Sequence, residues 1–106
     1  MPRHLVRCDL DGDYFNDTLE SGFQSRESEM RAVVESVGGT LSSLFWAHGD
    51  DDLYLVIDLP DDTTLNALLL GTLQSAHFTT ATTAIFTSSE MDEARARVRS
   101  GLSGGP

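Results

Sequence analysis

His48 and the three acids Asp50, Asp51 and Asp52, one glycine further along, form the densest group of chemically able side chains in this sequence. An imidazole titrates near neutral pH, and adjacent carboxylates can hold its charged form or complete an oxygen-rich cation site. Successive turn aspartates point in different directions, so a solvated turn competes with that reading. Asp52 is the one expected to bond nearby backbone N–H groups. Trp46 and His48 would share one face of a strand that carried both. Together with Tyr54 and the hydroxyls of Thr80 and Thr82 they have the composition of a small-molecule site, apolar with a few polar groups. In that reading His48 is the acid–base group, while Trp46, Tyr54, Thr80 and Thr82 line the ligand. Core packing and hairpin pairing are the competing roles for each. His4 and His77 have no partner pattern and read as surface or edge residues.

Three further patterns carry less. Asp9, Asp11, Asp13, Asp17 and Glu20 fall at relative positions 1, 3, 5, 9 and 12, the acidic spacing of a calcium loop. Tyr14 stands where that loop needs glycine, and a strand precedes it rather than a helix, so a solvated strand-to-helix connection is the simpler reading and no metal is expected. Cys8 is the single cysteine, which excludes an internal disulfide and a CxxC pair. As a nucleophile it would need a base placed against it, and no Cys–His arrangement is evident. Neither glycine-rich nucleotide-binding motif occurs, and no cofactor is implied.

The 106 residues, 40% of them hydrophobic, suit one small domain over residues 1–100 with a disordered tail over 101–106. Seventeen acids against seven basic residues give a formal charge of −10, which repels phosphate backbones and anionic lipid headgroups alike. Nucleic acid and membrane surfaces are therefore poor partners. No apolar run is long enough for a signal peptide or a membrane span, and a cytoplasmic location is expected.

The elements that must position these residues follow from periodicity. Arg3 to Asp9 reads as a strand, broken by the turn-formers of DLDGDYFND. Apolar residues recur at helical spacing from about Thr18 to Val37, stopped by Gly38-Gly39, with a break or bent entry near Gly22. Strands from about Thr40 to His48 and Leu53 to Leu59 flank the turn Gly49-Asp50-Asp51-Asp52 as an antiparallel hairpin. Pro60-Asp61-Asp62 starts a leucine-rich helix running to about Ala76. A fourth strand spans Phe78 to Thr87, and a capping box at Thr87 to Glu90 opens a last helix to about Ser100 with Arg95, Arg97 and Arg99 near its end. The order β-α-β-β-α-β with a terminal helix is the α+β, ferredoxin-like arrangement. Both faces of the hairpin strands carry large apolar groups. One should pack on the helices and the other on a second copy of the chain.

The stretch LFWAHGDDDLYLVIDLPDD, Leu44 to Asp62, resembles the centre of the GYD-domain family, with Gly49 and Asp52 as the structural turn. Arg26 with the Val37-Gly38-Gly39 exit, and the Thr87 to Ala94 entry to the last helix, resemble its flanks, so the likeness spans roughly residues 3 to 97. Asp51 stands where that family carries an aromatic. The resemblance implies a dimeric α/β-barrel, two ferredoxin-like sheets face to face, and no single activity. Two functions are compatible: a small-molecule binding protein or cofactor-independent enzyme of a bacterial metabolic or biosynthetic pathway, isomerase-, cyclase- or oxygenase-like, with its ligand between sheet and helices; or a non-catalytic dimerisation or metabolite-sensing module. An enclosed pocket reached by a titratable group would favour the first and a solidly filled interior the second.

Overall fold

A computed structural model describes residues 2–102. Strand β1 (Arg3–Leu10) is followed by helices α1 (Gly12–Ser21) and α2 (Phe23–Ser36), then by strands β2 (Thr40–Trp46) and β3 (Leu53–Asp58). Helix α3 (Asp62–Ser75), strand β4 (Phe78–Ile85) and helix α4 (Ser88–Arg97) complete the chain, and a π-helical turn over Val98–Leu102 extends α4. The four strands form one antiparallel sheet in the order β2-β3-β1-β4, the ferredoxin-like arrangement the element order predicts. Gly101 and Leu102 belong to the closing turn, and the rest of the expected 101–106 tail lies outside the described residues.

Strands β2 and β4 each end two residues earlier than expected, and the largest boundary difference, at the start of the first helix, has a clear reason. Residues 12–17, expected as a turn, coil with 18–21 into α1, because Asp11 is an N-cap: its Oδ1 accepts the Tyr14 N–H at 2.8 Å. Asp13 in the first turn adds favourable charge at the helix N-terminus. The residues that resemble turn-formers are therefore cap and first turn. Gly22, at φ 99°, makes the break foreseen there and redirects the chain from α1 into α2.

Alternation along the strands divides the sheet into two faces. Val6, Cys8, Leu41, Leu53, Leu55 and Ile57 point to the helices and form the core with Val34 of α2, Leu65 of α3, and Leu59. An irregularity between Leu41 and Ser43 shifts the register of β2 by one residue, which keeps Leu44 and Trp46 on the helix side opposite Leu55 and Leu53. Gly39 lets this layer close, since a Cβ there would lie 2.5 Å from Leu59 Cδ2 and 2.8 Å from the Asp58 carbonyl oxygen. His4, expected at the surface or an edge, is instead 7% exposed. It sits on a central strand between Ile57 and Ala84, and its Nδ1 has no hydrogen-bond partner among the described residues.

Among the described residues no element lies against the opposite face. It carries Leu5, Val56, Tyr54 and Phe45, Phe45 being 66% exposed, among the cross-strand ion pairs Arg3–Asp58 at 3.1 Å and Arg7–Asp51 at 3.3 Å. Every residue of α4 is exposed, and the chain measures 60 × 29 × 21 Å. Its radius of gyration, 17.0 Å, exceeds the roughly 13 Å of a compact chain of this length. Among the described residues no helix is long and apolar enough to cross a membrane.

Candidate functional site

The helix side of the sheet leaves an open groove of about 450 Å³ between α2 and α3. Its floor is Val6, Cys8, Leu55 and Ile57, and its walls include Met30 and Val34 of α2 and Leu68 and Leu69 of α3. The lining is overwhelmingly apolar, with Tyr14, Glu29, Thr72 and Thr80 as its principal polar side chains. This is the composition of a site for a small, mostly apolar molecule oriented by few hydrogen bonds.

Tyr14 is placed by the α1 turn that sequence reading took for a loop. Its ring meets Phe78 edge-on at 4.7 Å, and the Arg26 guanidinium lies 4.5 Å over its face, a cation–π contact. Arg26 is itself held by Thr18 Oγ1 at 3.1 Å and Glu29 at 3.0 Å, and Thr18 donates to the Tyr14 carbonyl at 2.8 Å. Burial raises the Tyr14 phenol above its usual value, against a smaller lowering by Arg26. The phenol is therefore neutral at pH 7, a hydrogen-bonding group rather than a base. The Cys8 thiol is pushed up to about 12, first by burial and then by the charges of Asp51 and Asp9. It is an inert part of the groove floor.

The proposed site residues are dispersed. Thr80 lines the groove. Thr82, in register with Val6, is on the same side of the sheet but off the groove wall. Trp46 packs edge-to-face on Phe23 at 4.8 Å and lines a second hollow of about 410 Å³ with Leu10, Phe15, His48 and Asp52. β2 ends at Trp46, so His48 lies in the turn, where strand parity does not orient it. Both residues nevertheless line that hollow, His48 from an exposed position. Tyr54 is on the opposite face of the sheet, paired with Phe45, its hydroxyl 3.5 Å from Asp51 Oδ2.

Two of the three turn acids are occupied. Asp52 Oδ2 accepts the Leu10 N–H at 2.9 Å, its N–H donates to the Cys8 carbonyl at 3.0 Å, and its own carbonyl accepts the Ala47 N–H at 2.8 Å. It thus ties the hairpin turn to β1. Asp51 holds Arg7. Gly49 and Asp50 are exposed. Asp13, Asp17 and Glu20 belong to α1, so the calcium-like spacing is that of a helix, and no cluster of three or more metal-ligating side chains occurs among the described residues.

His77 is the group that sequence reasoning left without a partner. Its Nδ1 lies 2.8 Å from Asp11 Oδ2, and its carbonyl accepts the Asp11 N–H at 3.0 Å. Residues 11 and 77 are the next pair beyond Leu10↔Phe78 in the β1–β4 ladder. Strand register was the signal that could have joined them.

The family model for the GYD domain matches residues 6–94. No curated protein and no solved structure gives a match.

Proposed function

The chain belongs to the GYD-domain family, and on that premise we propose that it is a cytoplasmic small-molecule binding protein that works as a homodimer. The ligand lies in the groove between sheet, α2 and α3, its apolar body on Leu55, Ile57 and Leu68 and its polar end toward Tyr14 and Thr80. The observation that carries this reading is the groove itself, about 450 Å³ of open, apolar-lined space where an assembly module would be filled. A compact molecule with one hydroxyl or carbonyl matches that lining.

The groove wall favours binding over proton transfer. Tyr14 and Cys8 are both raised, and Glu29 is engaged by Arg26. A cofactor-independent enzyme would draw its acid–base group from His48, in the separate hollow beside Trp46. The homodimer reading is supported by the open sheet face, where Leu5, Val56, Tyr54 and Phe45 lack any covering element among the described residues.

Titration with the neutral apolar dye N-phenyl-1-naphthylamine tests the site. One saturable dye site per chain is expected, lost in Ala67→Trp, which fills the groove from an exposed position on α3, and weakened in Tyr14→Phe only for hydroxyl- or carbonyl-bearing competitors. Absence of saturable binding, or undiminished binding to Ala67→Trp, overturns the assignment.

A further inference from the structure

Among the described residues helix α4 buries no side chain. Phe86 at its root is 64% exposed, Met91 57% and Val98 44%, and none of Arg95, Arg97 or Arg99 has an ion-pair partner among the described residues. The helix is nevertheless well specified. Thr87 Oγ1 accepts the Glu90 N–H at 3.1 Å and the Glu90 carboxylate accepts the Thr87 N–H at 2.9 Å, a complete capping box. A ten-residue helix standing free in water is marginal, so a deliberate start with no packing surface points to a surface outside the chain.

Charge identifies that surface. Three of the chain's seven basic residues lie at the C-terminal end of this one segment, past Glu90, Asp92 and Glu93 at its start, while the sequence up to Thr87 holds the other fourteen of the seventeen acids. Asp9 and Asp50 lie with Asp51 and Asp52 toward the end of the sheet where β1 finishes and β3 begins, and only Arg7 pairs with an acid there across the open face. The arm departs from the other end, where Arg3 pairs with Ile85. The chain enters it from Ile85, which is paired with Arg3 and shares the open side of the sheet with it, and Arg3 helps hold the Glu90 carboxyl below its usual range, behind the Thr87 hydrogen bonds.

We propose that α4 is a dimer arm whose exposed apolar residues, Met91 and Val98 seven positions apart with Phe86 at the root, pack on a second copy of this chain and whose arginines meet that copy's Asp9 and Asp50. This rests on the sheet-to-sheet dimer proposed above and adds what that face alone lacks. A two-fold axis across the strands lays the Arg3 end of one sheet over the Asp9 end of the other, so the basic end of each arm reaches the acidic end of its partner. Two arms then clasp the dimer symmetrically.

Sedimentation velocity on the full chain tests this, with helix content followed by circular dichroism. The triple variant R95E/R97E/R99E is expected to dissociate about tenfold more readily than the native chain at low salt, with the two converging near 1 M NaCl as screening removes the attraction. The charge-neutral R95Q/R97Q/R99Q guards against fraying of the helix end and should fall between them. Mixing R95E/R97E/R99E with D9R/D50R should restore a heterodimer tighter than either variant forms alone. Equal affinity and salt dependence in the native chain and R95E/R97E/R99E, or no recovery on mixing, overturns the arm and leaves the sheet-face dimer standing. A native chain monomeric at all concentrations overturns both.

Discussion

The two faces of the sheet are built from the same strands and spend their apolar residues differently. Toward the helices, Val6, Cys8, Leu53, Leu55 and Ile57 are buried, and the polar groups among them are few. On the other side Leu5, Val56, Tyr54 and Phe45 are interleaved with Arg3, Arg7, Asp51 and Asp58, whose charges pair across strands. The first pattern suits permanent burial. The second resembles an interface that must also survive in water, where a mixed apolar and polar surface is normal. One side of the sheet therefore holds the fold and the groove, and the other is open to the partner proposed above.

The largest test of that contrast sits on one strand. Leu53 is 0% exposed, and Leu53→Ala should destabilise the chain by about 3 kcal/mol in urea unfolding, through lost transfer energy plus a cavity. Val56→Ala, three residues along and on the other face, should cost less than about 1 kcal/mol in dilute, monomeric protein. Equal costs would mean that the open face is already packed. Val56→Lys sharpens the same point: an ammonium at the centre of that face should abolish self-association in sedimentation velocity while leaving circular dichroism unchanged. A dimer that survives it does not use this face.

His4 probes the helix face from within. Its buried Nδ1 lacks a partner, and an unpaired buried polar atom costs stability. His4→Leu should be neutral or stabilise by up to about 1 kcal/mol. A loss of more than about 1 kcal/mol would show that the imidazole has a hydrogen bond in solution.

Much of this was legible in the residues. The β-α-β-β-α-β order, the Gly22 break, the Pro60-Asp61-Asp62 helix start and the capping box at Thr87 all rest on local backbone chemistry and stand where the sequence puts them. The burial of His4 was implied too, because the ferredoxin-like order makes the first strand central, but a single histidine in MPRHLVRCD shows no sign of its neighbours. The groove was not legible. Tyr14 reaches it only because Asp11 caps a helix through residues that look like a turn, and Thr80 joins it through pairing with Cys8, seventy-two residues earlier in the chain. His48 was oriented by strand parity, and the strand ends two residues before it.

The smallest expected effect belongs to Asp11, at the edge where the groove's Tyr14 is set. Its carboxyl is held below the usual 3.8, first by the Tyr14 N–H and then by His77. The folded state thus favours the ionised form. This contribution is complete above the ordinary carboxylate value and is lost as pH falls through the lower native one. Asparagine is also a good N-cap, so Asp11→Asn keeps α1 and removes only the charge that faces His77. Urea midpoints should therefore be slightly lower for the variant at pH 7, with the gap closing as pH drops below about 4, because a protonated Asp11 and the substituted amide become nearly equivalent there. A gap that stays constant from pH 7 to acid would show that the 2.8 Å contact with His77 contributes shape and no charge, and that the groove's Tyr14 is positioned by the helix cap alone.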